Sequence, residues 1–141
     1  MNFDFKFLTI EHIDLIVDMV FTLDHEKISK SVLRKRFKEM FTQNYECVGI
    51  YNNTNLVGVC GLWYMTRHYS GKSVEIDHFI INEDLRGNGI GKKLFTWLNN
   101  YLKTKDVETM ELNTYTGNTA SHKFYYNEGF KILGFHFLKT L

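Results

Sequence analysis

Phe79-Ile80-Ile81-Asn82-Glu83-Asp84-Leu85-Arg86-Gly87-Asn88-Gly89-Ile90-Gly91-Lys92-Lys93-Leu94 joins an apolar run to a helical pattern through glycines, and the fold follows from it. The apolar run Phe79-Ile80-Ile81 precedes a glycine-rich turn from Arg86 to Gly91. A helical pattern then runs from Ile90 to Leu102, with Ile90, Leu94, Trp97, Leu98, Tyr101 and Leu102 on one face. Strand, glycine-rich turn and helix start, in that order, build an anion site. Successive N–H groups point outward, the helix dipole adds partial positive charge, and glycines let a ligand approach the main chain. A phosphate or pyrophosphate suits such a site.

Two familiar phosphate motifs fail on these residues. A Walker A loop needs four residues between its first glycine and Gly-Lys-Ser/Thr, whereas Gly87 to Gly91-Lys92-Lys93 has three and lacks the hydroxyl that holds magnesium. A dinucleotide fingerprint needs a third glycine in the spacing Gly-x-Gly-x-x-Gly, where Lys92 or Leu94 stands here, in an early strand–helix–strand unit. Here the turn lies past mid-chain, after several strands.

The turn resembles the acyl-CoA pyrophosphate loop of the GNAT superfamily of N-acetyltransferases, Arg/Gln-x-x-Gly-x-Gly/Ala, which Arg86, Gly89 and Gly91 match without a gap. A second stretch, Asn118-Thr-Ala-Ser-His-Lys-Phe-Tyr-Tyr-Asn-Glu-Gly-Phe130, resembles the superfamily's late helix signature through Asn118, Ser121, Phe124, Tyr125, Gly129 and Phe130. The two motifs stand in the family's order.

With 141 residues, 44% of them hydrophobic, the chain reads as a single domain over 1–141 that buries one substantial core. A formal charge of +1 gives no global attraction to nucleic acid or an acidic membrane. No apolar run approaches a membrane span and the amino terminus has no secretory pattern, so a cytoplasmic protein is expected. Cys47 and Cys60 lack zinc-site spacing and read as buried free thiols. The six histidines form no His-x-x-x-His pair, so no metal is expected.

Hydrophobic periodicity and turn chemistry place a strand at 4–10, helices at 11–24 and 31–41 joined by the polar Asp24-His25-Glu26-Lys27, and a hairpin of 45–51 with 56–65. Strand 74–81, the loop and helix 90–102 follow, then strand 107–115, helix 118–127 and apolar 132–138. This order resembles the GNAT core. It implies an α+β fold, an α/β/α sandwich with a mixed, mostly antiparallel sheet of six to seven strands and about four helices, splayed in the middle to hold acyl-CoA. The ending is short for the usual final pair of strands, and Gly134 can kink one long strand instead.

The resemblance implies that Phe79, Ile80 and Ile81 pair their backbone with the pantetheine arm of acetyl-CoA, and that Arg86, Gly87, Asn88, Gly89, Ile90, Gly91 and Lys92 hold its pyrophosphate. Arg86 can also hold the loop itself by bonding backbone carbonyls. Asn118 caps its helix and, by the resemblance, also bonds the cofactor. Tyr125 matches the tyrosine that protonates the departing thiolate, and a phenol of pKa about 10 is protonated at neutral pH. Asp77 falls on the position of the acidic base. Glu75 and His78 are the rival bases, and strict strand alternation puts Glu75 and Asp77 on one face with His78 on the other.

Acceptor contacts are read from carboxylates and aromatic faces, which suit a cationic amine. Glu26, Tyr64, Glu75 and His78 are the candidates, in an acidic setting of Asp14, Asp18 and Asp24. Lys92 and Lys93 sit where cations oppose the helix dipole, so a nearby anion would explain them. The basic run from Lys27 to Lys38 can attract CoA phosphates or simply form a solvated face. The expected function is transfer of an acetyl group from acetyl-CoA to a primary amine of a small molecule or peptide, with no nucleic acid, membrane or metal partner. A homodimer is compatible with the chain. The rival class is an acyl-CoA sensor that binds without turnover.

Overall fold

The computed structural model describes residues 2–23 and 26–141. Strand β1 (Phe3–Leu8) leads through a short 3-10 turn into helix α1 (Ile13–Leu23), and helix α2 (Lys30–Met40) follows. Thr9 and His12 close that entry as a reciprocal capping box. Ser29 caps α2 through Val32 N–H. The expected helix end at Asp24, and His25 of the polar connection, lie outside the described residues.

Strands β2 (Tyr45–Asn52), β3 (Asn55–Arg67) and β4 (Gly71–Ile81) form an antiparallel meander, and α3 (Ile90–Thr104) crosses to β5 (Thr109–Leu112). The order β1-β2-β3-β4-β5 is antiparallel except for the parallel pair β4–β5. Helix α4 (Thr119–Asn127) follows. Alternate residues of the central strands feed two cores. Val48, Val74, Ile76, Leu94, Phe95 and Leu98 pack on the α3 and α4 face. Ile16, Val17, Leu33, Phe37, Cys47 and Val59 pack on the α1 and α2 face.

The sheet has five strands rather than the expected six or seven. Residues 131–141 form no strand and are exposed throughout, although their apolar pattern reads as one. A pattern supplies the faces of a strand but not its hydrogen-bonding neighbour, and this segment has none among the described residues. Strand β5 is likewise shorter than the expected 107–115, because β4 diverges from it after the pair Ile76–Leu112. Among the described residues no helix is long and apolar enough to cross a membrane.

Candidate functional site

The glycine turn is built by local bonds that leave its amides free. Asn82 accepts from Asp84 N–H at 3.3 Å, and Asn88 Nδ2 donates to the Leu85 carbonyl at 2.9 Å, which fixes the approach to α3. Gly89 is the N-cap of α3 at φ 72°, in the left-handed region. Among the described residues no carbonyl accepts from the N–H groups of 87 to 92, as expected of a helix N-terminus that still has donors to offer. A side chain added at Gly87 or Gly89 would meet nothing within 4 Å, so the space over these amides is open.

Gly91 is different. A Cβ there would stand 2.9 Å from Phe124 Cζ, so this glycine lets α4 pack against the first turn of α3. The Arg86 guanidinium lies 4.0 Å from the Glu83 carboxylate; the Arg86 N–H donates to the Glu83 carbonyl at 3.2 Å, but among the described residues no backbone carbonyl accepts from the guanidinium. The expected carbonyl-holding role is therefore not seen. Lys92 and Lys93 are exposed beside the turn, with the Lys93 ammonium 5.4 Å from the Phe3 ring centre.

Next to the turn the sheet splays. On its β3 side β4 is paired out to Ile81, but on its β5 side pairing covers only Ser73 to Ile76. The edge of β4 from Asp77 through Phe79, Ile80 and Ile81 therefore faces β5 without a partner strand. Asn118 caps α4 by accepting from Ser121 N–H at 3.3 Å. Helix α4 ends in a left-handed turn at Gly129, with Phe130 N–H donating to the Tyr125 carbonyl at 3.0 Å. The Phe130 ring thereby packs 5.7 Å from the Tyr125 ring, which also meets Phe95 and Phe124. Burial, with a smaller contribution from the Cys60 thiol, pushes the Tyr125 phenol above its usual range, so it holds its proton.

The expectation for the preceding residues needs correction. Asp77 and His78 are not on opposite faces, because the β3–β4 register shifts between Val59 and Gly61 and a bulge places both on the α1 and α2 side. The bulge is held by Asp77, whose carboxylate accepts from His78 N–H at 2.9 Å and from Trp63 Nε1 at 3.0 Å. His78 turns inward. Its Nε2 is 2.5 Å from the Tyr45 hydroxyl, its ring packs edge-on against Phe37, and its Nδ1 is sealed from solvent with no partner among the described residues. Burial holds the imidazole below its ordinary pKa, hence neutral, against the smaller opposing pull of Asp77.

Glu75 shares the Asp77 face and accepts from Asn113 Nδ2 at 3.3 Å. Beside it Glu111 is held by Arg67 at 2.9 Å and Tyr69 at 2.8 Å. Tyr64 is elsewhere: it packs on the α3 face, and its hydroxyl donates to Glu46 at 2.6 Å alongside Tyr101. Glu26 is exposed and left-handed at φ 57°. Asp14 pairs with Arg34, and Asp18 with Lys30 at 3.1 Å, so these expected acidic contacts instead tie α1 to α2. Asp24 lies outside the described residues. Sequence reasoning passed over Trp63, Tyr45 and Glu111. The cross-strand pairs Tyr45–Trp63, Trp63–Glu75 and Glu75–Glu111 would have revealed them, had the register been known.

Both cysteines are buried and free. Burial pushes the Cys47 thiol up to about 12, against a smaller lowering by its bond to Tyr45, and raises Cys60 further. Neither is a thiolate nucleophile at neutral pH. Cys60 also feels the Asp77 charge and in turn acts on Tyr125, so acid and base candidates lie within electrostatic reach of one β3 position.

Comparison with known proteins agrees with this geometry. A model of the Acetyltransferase (GNAT) family matches residues 16–130. A curated aminoalkylphosphonate N-acetyltransferase of Salmonella typhimurium is 26% identical over 130 residues, covering 88% of this chain and 84% of that protein. The fold superposes on the aminoglycoside N-acetyltransferase AAC(6')-Iy, in complex with a bisubstrate analogue, at a TM-score of 0.84 and 14% identity, covering 100% of this chain and 99% of that one. It also superposes on a ribosomal-protein-alanine N-acetyltransferase from Brucella melitensis at a TM-score of 0.79 and 16% identity, covering 99% and 100%.

Proposed function

Because this chain belongs to the acetyltransferase (GNAT) family and is an N-acetyltransferase, we propose that it transfers the acetyl group of acetyl-CoA to a primary amine by direct attack on the thioester. The observation that carries this reading is the junction of the open amide turn at 87–92 with the unpaired edge of β4 from Asp77 to Ile81. A pyrophosphate fits the turn, and an extended amide-bearing arm fits a strand edge that lacks a partner. Acetyl-CoA supplies the activated acyl group and a thiolate leaving group.

The chain's own residues then meet two proton demands. An alkylammonium of pKa about 10 must lose a proton, and the thiolate must gain one. Asp77 is the base we assign, acting through water, because its carboxylate is exposed while Trp63 and His78 N–H fix its orientation. His78 is walled in by Phe37 and Tyr45, which suits it to holding the bulge rather than meeting substrate. Tyr125 is the acid, a phenol kept protonated by burial on the opposite face of the sheet. Two sealed, protonated thiols favour direct transfer over a cysteine acyl-enzyme.

The acceptor is a cationic primary amine, drawn by Glu75 and Asp77 on the open face beside Trp63. The test is thiol release from acetyl-CoA against a panel of aminoalkylphosphonates, aminoglycosides, polyamines and peptide amino termini, with acetyl-CoA hydrolysis as the blank. Amine-dependent release and an acetylated product are expected. Binding of acetyl-CoA without release for any amine would make the chain a sensor.

A further inference from the structure

The Asp77 carboxylate is held by two N–H groups, the Trp63 indole on Oδ2 at 3.0 Å and the His78 backbone on Oδ1 at 2.9 Å. Both donors lead back to one side chain on another strand. Tyr45, on β2, is the register partner of Trp63, and the two ring centres lie 5.0 Å apart. The Tyr45 hydroxyl stands 2.5 Å from His78 Nε2, and because Nδ1 has no partner among the described residues, the orientation of the imidazole depends on that one bond. The space in which these side chains meet exists because residue 61, in register with Asp77, is a glycine: a Cβ there would run into both the imidazole and the Tyr45 ring. Tyr45 is itself fixed, being 6% exposed and packed against Phe37 and Phe41.

We propose that Tyr45 is a positioning residue for the base: its ring sets the Trp63 indole and its hydroxyl sets His78, so one buried side chain on β2 aims the Asp77 carboxylate. The inference rests on Asp77 being the base. With one donor on each oxygen the plane of the carboxylate is set, and each oxygen keeps a lone pair with which to accept a proton. Tyr45 acts only through these two neighbours. Burial, with smaller contributions from Cys47, Asp77 and Cys60, raises its phenol far above the usual range, so it keeps its proton and takes no part in transfer. Without the hydroxyl, a buried imidazole has no partner on either nitrogen, which favours rearrangement of the ring and of the bulge beside it. A misplacement of about 1 Å in a reacting group costs about 10²-fold in rate.

Tyr45→Phe and His78→Leu cut the same hydrogen bond from its two ends while keeping apolar bulk and the backbone N–H of residue 78, so either carries the test if the other fails to fold. Each is compared with the parent on two acceptors, an alkylamine that turns over and its fluorinated counterpart, which is largely free base at neutral pH and depends less on a protein base. For the alkylamine kcat should fall about 10- to 100-fold, against less than about 3-fold for the fluorinated amine, with KM for acetyl-CoA unchanged. The two substitutions together should cost no more than either alone, and Tyr45→Phe should add nothing to Asp77→Asn. An equal loss on both amines, or a loss that adds in full to that of Asp77→Asn, would overturn the proposal and leave Asp77 as the base, with Tyr45 supporting only the fold. If Asp77→Asn itself spares the alkylamine, or if no amine turns over, the base assignment falls and the proposal falls with it.

Discussion

At the scale of single residues, we assign Tyr125 as proton donor, Asp77 as proton acceptor and His78 as a buried support. Tyr125→Phe keeps the ring against Phe95, Phe124 and Phe130 and deletes the hydroxyl. Under conditions where chemistry limits turnover, kcat should fall about 10²- to 10⁴-fold with little change in melting temperature. Near-normal kcat would remove Tyr125 from the mechanism. Asp77→Asn should slow turnover most at low pH, where free amine is scarce, and least at high pH; a uniform loss would mean that the carboxylate only binds the amine or holds the bulge.

His78 makes a different prediction, read in stability. Its folded pKa lies below its unfolded value of about 6.5, so the unfolded chain takes up the proton first as pH falls. Its contribution is full above that unfolded value and is lost as pH drops through the folded one. Urea unfolding at about pH 7.5 and about pH 5 should show a smaller loss for His78→Gln than for the parent. An equal loss in both would show that His78 is not buried neutral.

At the scale of elements, two glycines of one motif do separate work. Gly89→Val places a branched side chain at φ 72°, at a cost of about 1–3 kcal/mol, and fills the open space over the amides. Most of the rise in melting temperature given by acetyl-CoA should vanish. Gly91→Val instead drives into Phe124, displacing α4 and Tyr125, so it should lower the melting temperature without ligand and reduce kcat. Thermal scans of both variants with and without acetyl-CoA separate the two effects, and identical behaviour would contradict the packing role of Gly91.

The turn and the α4 signature were legible in the sequence because each is a local structure whose residues are neighbours in the chain. The bulge at Asp77 and His78 was not, because it arises from the register between β3 and β4 and no residue there announces it. Alternation therefore put His78 on the wrong face. Tyr64 was misread as an acceptor neighbour for the same reason: its partner Glu46 is fixed only once β2 and β3 pair. The apolar rhythm of 132–138 promised a strand, but rhythm does not supply a pairing neighbour, and among the described residues no strand pairs with it.

At the scale of the whole molecule, the site we propose lies where the pieces meet: the amides at the start of α3, the free edge of β4, Tyr125 from α4, and Asp77 on the far face. In this proposal one acetyl-CoA spans the turn and the splay together. Amide hydrogen exchange with and without saturating acetyl-CoA tests it most directly. Slowed exchange is expected at 87–92 and at 79–81 in the same experiment, with 45–52 in the interior of the sheet unchanged. Protection of neither segment, or protection confined to surfaces away from α3 and β4, would contradict it.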